Sequence, residues 1–534
     1  MKKMKKIMAL MLAAIMMMAM SVTAFAAGGA AGTCTLTVNA KGGQDLKGQT
    51  INLYKLFDVT ESTSGETKNY AYTVNTAYKT ALVNVLTKLK TSVSAIPDVT
   101  ETSTDAELAA AVSSIGAKDS ETVQKFANDF TTYALTQNSK LDATTNSGKL
   151  GEVASYEFTG LDAGYYLVYV TGGKEIQSSL VTVDSTTNTV NLKTEAPSIE
   201  KKADKETVSI GQVVKYTVTG SIPDTTGYEQ YVYKIHDTLT TGLDFVNDAT
   251  GTALREGATT VNIKVAFGEG VTDAGTAPAT ATLSGEGNRQ MVLDLSEWVR
   301  TNQANNKGKE FTVTYYAKVN KAAVVTEKNS AHLEYGNNPG ETTTTTPSEA
   351  KTPTYPLDIL KIKKDTEEIL AGAHFTLYAS TTAGVIDESK PIKVTKVADG
   401  KYSYAADQTS TDPSVITDMV TVASKIEGQG YNLHINGLAA GTYYLKETKA
   451  PDGYNKLTEA IKVTITKSTT TDENEWTLTV DKGTVDGKIV KVENSTGSLL
   501  PSTGGRGAIA FAVIAALLVF GVAVSFIRDK RKEA

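Results

Sequence analysis

Cysteine is almost missing from this chain: Cys34 is the one thiol in 534 residues. A single thiol excludes a disulfide framework and any zinc site built on several thiolates. Whatever toughens the protein is not sulfur chemistry, which suits an exported chain stabilised in another way. Histidine is nearly as scarce. The four, His236, His332, His374 and His434, are scattered over strand-like segments, without a serine or cysteine partner or metal-ligand spacing. No glycine-rich phosphate loop follows a strand. A large excess of one charge is lacking too: net −6 with 21% charged residues gives no reason to expect nucleic acid as a partner. An enzyme is therefore the least favoured class, and no cofactor or metal is implied.

What is present begins with the two ends. "MKKMKKIMALMLAAIMMMAM" has a basic start and a short apolar run, and "AFAA" offers small residues for a cut after Ala26. That pattern predicts a secretory signal peptide over residues 1–26, the run being short for a membrane span. At the other end "LLPSTGG" precedes an apolar stretch, 508–527, followed by "RDKRK". The stretch is long enough to cross a bilayer, with the basic tail on the cytoplasmic side.

Between the ends, short alternating runs rich in Thr and Gly predict a mainly β protein built of tandem β-sandwich domains. Helical spacing interrupts this only near the start: Tyr78, Leu82, Val85 and Leu89; then Leu108, Val112 and Ile115; then Val123, Phe126, Ala127 and Phe130. We place these helices as an insertion in a first domain, 27–192, whose opening strand holds Cys34 as a small apolar residue. A second domain spans 193–338. Residues 339–356, rich in Thr and Pro, read as an extended linker, and a third domain spans 357–497. Three such domains in series predict a rod.

Period-two reading of the strands exposes an oddity. In the third domain Leu357, Ile359 and Lys361 share a face, as do Tyr443, Leu445 and Glu447, and Val490, Val492 and Asn494. The second domain repeats it with Pro197, Ile199 and Lys201; with Tyr231, Tyr233, Ile235 and Asp237; and with Asn329, Ala331, Leu333 and Tyr335. Twice, a lysine, an acid and an asparagine occur in line with apolar rows. Burying such groups unpaired is costly, and desolvation drives the lysine toward the neutral amine and the acid toward the protonated form. A neutral amine can attack an amide carbonyl that a protonated carboxyl polarises. The product is a Lys–Asn isopeptide bond with loss of ammonia, a single turnover rather than enzyme activity.

Several stretches carry a family resemblance. Leu500-Pro501-Ser502-Thr503-Gly504 resembles the LPxTG signal by which sortases anchor proteins to Gram-positive cell walls, cleaving between Thr503 and Gly504. "YYLKETKAPDGY" looks like the E-box of Gram-positive pilins, and "LAGAHFTLY" resembles an early strand of CnaB-type domains. "IEKKAD", "GQVVKYTVTGSIP", "YKIHDTLTTGL" and "NSAHLEY" resemble the CnaA-like, isopeptide-forming second domain of fimbrial subunits. The resemblance is to shaft pilins of the SpaA type and covers most of residues 190–504. It implies bonds Lys201–Asn329 assisted by Asp237 and Lys361–Asn494 assisted by Glu447, with Lys202 and Lys363 as neighbouring alternatives. The first domain has "GYYLV" where an E-box would fall, with no acid after it, so no bond is expected there.

In these pilins a lysine at the joint between the first two domains accepts the sortase-bound threonine. Lys193, in "TVNLKTEAP", holds that place, although the proline that precedes the family's lysine is missing and Lys201, Lys202 and Lys205 are near. The resemblance thus implies a covalent homopolymer on the cell wall, with sortases, peptidoglycan, tip or minor pilins and host surface ligands as partners and a precursor held in the plasma membrane. The competing expectation is a monomeric wall-anchored adhesin binding host matrix or glycan. It shares export, rod and anchor but needs no acceptor lysine.

Overall fold

Alternation of apolar and polar residues governs most of the chain, and the computed structural model gathers the resulting strands into six sheets. It describes residues 32–497, except 65–66, 118–119, 137–140, 172–176, 185–186, 194–195, 226–229, 337–341 and 471, together with the helix Arg506–Lys530. The described residues form two compact units. One takes the chain to Glu206 plus Val213–Lys318 and Lys328–Thr352; the other takes Thr207–Gln212, Val319–Glu327 and the chain from Pro353 on.

The first unit opens with a three-stranded sheet in which Cys34–Asn39 runs antiparallel to Ser155–Leu161 and parallel to Thr187–Asn191. Its inward row is Cys34, Leu36 and Val38, all buried. A second sheet, centred on Ile51–Ser64 and Gly164–Val170, carries the helices on its other side. These are Lys79–Lys90, Asp105–Ser113 and Glu121–Thr136, and they bury Leu82, Leu86, Leu108, Phe126 and Phe130 against Tyr54 and Phe57. The middle helix starts with a capping box: Glu107 N donates to Thr104 Oγ1 at 3.3 Å, and Thr104 N to the Glu107 carboxylate at 2.7 Å. Two orphan donors of the first turn are thereby satisfied.

The same unit then pairs two further sheets. One has the order 243–246, 310–319, 213–221, 200–203; the other runs 260–262, 280–284, 290–294, 232–239, 328–336, 343–344. Two expectations need correcting here. Within the stretch 339–356, expected to be an extended linker, Thr343–Thr344 and Ser348–Lys351 pair with Lys328–Gly336, and Ala350, Thr352 and Thr354 are buried. Thr and Pro fit an exposed linker and an edge strand equally well, so composition does not separate them. The helix Ser296–Asn306 was not expected either. Its inner face holds Trp298 and Val299 but also Asn302 and Asn306, whose amides bond the backbone of the 272–274 loop at 2.8–3.0 Å. Satisfied amides on the buried face erase the apolar period.

The second unit is another sandwich. One sheet has Tyr355–Lys363 between Leu433–Leu438 and Ile489–Asn494; the other centres on His374–Ser380 and Gly441–Lys449. The domain's first and last strands lie side by side and parallel, Lys361 opposite Val492 and Lys363 opposite Asn494. Between the sheets lie Leu357, Ile359, Phe375, Leu377, Leu445, Val463, Val490 and Val492. At the C-terminus Arg506–Lys530 covers the apolar stretch 508–527. Among the described residues no helix is long and apolar enough to cross a membrane; the side chains of 506–510, 526 and 529–530 lie outside them.

Candidate functional site

Among the described residues two lysines are buried, Lys201 and Lys361. An ammonium taken out of water needs a counter-charge or must release its proton. Each of the two meets a buried acid, and a buried asparagine neighbours each acid.

Lys201 stands on the strand Glu200–Ala203 opposite Val218, while Glu200 and Lys202 point outward and pair with each other at 2.9 Å. Asp237 and Asn329 come from the facing sheet. In its central ladder Asp237 is opposite Ala331 and Leu239 opposite Asn329, which makes the two polar side chains diagonal neighbours. The Lys201 amine donates to Asp237 Oδ2 and to the hydroxyl of Tyr315, which itself donates to Asp237 Oδ2. Asn329 Nδ2 donates to the same hydroxyl at 3.3 Å. The ring centres of Tyr216 and Tyr315 each lie 4.8 Å from the amine. Asp237 Oδ1 and Asn329 Oδ1 are buried and receive no hydrogen bond.

The other trio draws on three strands. Lys361 Nζ lies 3.5 Å from Glu447 Oε1 and donates to the Val492 carbonyl at 3.3 Å. Glu447 Oε2 accepts from Asn494 Nδ2 at 3.0 Å and from Leu457 N at 2.7 Å. Asn494 Nδ2 also reaches the Asn455 carbonyl at 2.6 Å. The Lys361 backbone is pinned by the buried Asn432, whose Oδ1 accepts from Lys361 N at 2.7 Å. Glu447 Oε1 and Asn494 Oδ1 are left without hydrogen bonds. Lys363, directly opposite Asn494, is partly exposed and pairs with Glu368 at 3.3 Å.

Burial lowers both amines to about 8, against the upward pull of the adjoining carboxylate, Asp237 or Glu447. An ordinary lysine stays an ammonium to above pH 10, so these two are far closer to the neutral, nucleophilic form. Burial also drives the Tyr315 hydroxyl well above the usual phenol range, with Asp237 adding to the rise.

Lys193 follows the strand Thr187–Asn191 and is exposed. Leu500, Pro501, Thr503 and Gly504, like residues 1–26, lie outside the described residues. His236, His374 and His434 pair with Glu334, Asp418 and Asp358 at 2.6–2.7 Å, and His236 stacks on His332. Among the described residues no group of three or more His, Cys, Asp or Glu could hold a metal ion. The sequence reading missed Tyr315, Asn432 and Leu457. Tyr315 sits in the row Phe311, Val313, Tyr315, Ala317, which reads as ordinary core.

No curated protein matches the chain. Among solved structures, the major pilin SpaA of Corynebacterium diphtheriae is 16% identical, with 87% of this chain and all of that one covered, at a TM-score of 0.42. The T6 backbone pilin of Streptococcus pyogenes is 18% identical over 87% of this chain and 98% of that one, at 0.37. The major pilin BcpA of Bacillus cereus is 15% identical over 87% and 99%, at 0.32. At such TM-scores the three carry no argument about function. A family model does match part of the chain: residues 356–480, which include Lys361 and Glu447, are similar to the SpaA prealbumin-like fold domain.

Proposed function

We propose that the protein is the shaft subunit of a covalently polymerised cell-surface pilus, toughened by two internal isopeptide bonds, Lys201–Asn329 and Lys361–Asn494. One observation carries the reading. The two buried lysines each contact an acid that neighbours a buried asparagine, and each trio leaves one carboxyl oxygen and one amide oxygen without a donor. A single proton on the acid would serve both oxygens: held by the carboxyl, donated to the amide. A proton so shared would polarise the amide for attack. The lysine nitrogen bonds to the asparagine Cγ, the Cγ–Nδ2 bond breaks, and ammonia leaves with one proton from the amine. Asp237 and Glu447 end as they began.

Polymerisation rests on the sorting motif and on the exposed Lys193. Sortase would join Thr503 of one subunit to the Lys193 amine of the next, and finally to peptidoglycan, on the outside of the cell. In boiled wall extracts of the source cells we expect a ladder of high-mass species. Lys193→Ala should collapse it to a single-subunit band; a ladder that survives moves the acceptor to another lysine, and a single band from the parent removes the polymer.

The bonds also have a pH signature. In Asn329→Ala, Lys201 stays an amine whose folded value is near 8, against roughly 10.4 unfolded. Between those values the unfolded chain binds the extra proton, so stability rises with pH by up to about 1.4 kcal/mol per unit. The burial penalty is fully present below pH 8 and fades above it. Urea midpoints of variant and parent should therefore converge from pH 7.5 to 9.5, because a bonded lysine does not titrate. A constant gap contradicts the assignment of Lys201.

A further inference from the structure

The two trios differ in one respect. In the third domain the further hydrogen bonds of the three side chains go to main chain: the carbonyls of Val492 and Asn455 and the N–H of Leu457. The ring facing the amine there is that of Phe375, its centre 6.0 Å from Nζ, which offers no hydroxyl. In the second domain a phenol occupies the centre. A tyrosine hydroxyl has one donor and two acceptor positions. Tyr315 uses all three on the trio, donating to Asp237 Oδ2 and accepting from Lys201 Nζ and Asn329 Nδ2.

Those are the two nitrogens between which a proton must travel. After attack, the new C–N bond leaves a surplus proton on the lysine nitrogen, while Nδ2, now an amine with a lone pair, needs one in order to leave. We propose that Tyr315 is a catalytic residue of the second domain, the carrier that moves this proton from Lys201 to the departing Asn329 nitrogen. The inference rests on the isopeptide reading above. As Nζ gives its proton to the phenol oxygen, the hydroxyl turns its own proton from Asp237 to Nδ2. The Cγ–Nδ2 bond then breaks, ammonia departs, and Oδ1 becomes a carbonyl again as it returns its proton to Asp237. Tyr315 and Asp237 are regenerated, and no other reactant is consumed. Burial holds the phenol in its protonated form, which suits a carrier that must both take and give. In the third domain Glu447, touching both Lys361 and Asn494, has to serve alone.

The test follows the two bonds in one molecule. The full chain is made by cell-free synthesis and stopped at intervals in denaturant. Digestion and mass spectrometry then quantify the joined peptides holding Lys201 with Asn329 and Lys361 with Asn494. In Tyr315→Phe the first junction should form at least about 100-fold more slowly, the usual scale for a lost proton-transfer group, while the second keeps its parent rate. Equal rates at the first junction in parent and variant overturn the proposal. A parent without that junction overturns the underlying reading instead, and the proposal with it. Should the phenylalanine variant leave its domain unfolded, a trifluorotyrosine placed at 315 alone decides. It keeps the shape and lowers the phenol pKa, so the pH dependence of the first junction should move; an unmoved profile overturns the role.

Discussion

The chain spanning residues 27–503 is expected to weigh about 34 Da less than its sequence, the mass of two ammonia molecules expelled by amide attack. Asp237→Ala and Glu447→Ala should each restore about half of that deficit, since either change removes the carboxyl that would polarise one amide. Lys202→Ala and Lys363→Ala should restore none: Lys202 points outward to Glu200, and Lys363 is held by Glu368. Intact-mass measurement, with the joined peptides identified after digestion, reads all five chains. A parent at its full sequence mass would take both bonds out of the account, leaving two buried ion pairs with weak net worth.

The next largest effect is on stability. A Lys361–Asn494 bond would close a loop of 133 residues, 494 minus 361, and a Lys201–Asn329 bond one of 128, 329 minus 201. On the loop-entropy account of a disulfide, a cross-link of that span is worth about 5 kcal/mol. Asn494→Ala leaves Lys361 beside Glu447 but deletes the bond, so its calorimetric transition should fall by roughly 15 °C for a domain of this size. Glu447→Ala should fall further, because it also strands the Lys361 amine in a dry core, a loss of about 3–5 kcal/mol when one partner of a buried pair is removed. Unchanged transitions in both variants would mean that the cross-link does not hold the fold. Force should show the difference still more clearly. In the third domain the first and last strands are parallel neighbours, and a bond between them carries tension past the hydrogen bonds of the rest of the sheet.

Much of this was legible beforehand because strands obey period two whatever packs on them. The rows ending in Lys361, Glu447 and Asn494, like those holding Lys201, Asp237 and Asn329, are buried throughout their polar members. The helices of the first domain were legible for the parallel reason of a 3.6-residue period. Failure came where polarity and burial part company. Asn302 and Asn306 hide a helix face because their amides are satisfied by a loop. Thr343–Thr344 and Ser348–Lys351 pass for a linker because threonine suits an edge strand as well as solvent. Tyr315 hides in the opposite way, a polar group inside a row that looks apolar.

By itself the sequence determined which side chains share a face, and so which lysines, acids and asparagines point inward; backbone geometry decides that locally. Tertiary structure alone decided which inward faces meet. Lys201 and Tyr315 share a sheet though 114 residues apart, and Asp237, 36 residues from Lys201, comes from the facing sheet; no local period encodes that pairing or that stacking. The role of Tyr315 in the second domain, where the third has Phe375 near its amine, depends on that stacking, because its hydroxyl reaches Asp237 and Asn329 only when the opposite sheet closes over it.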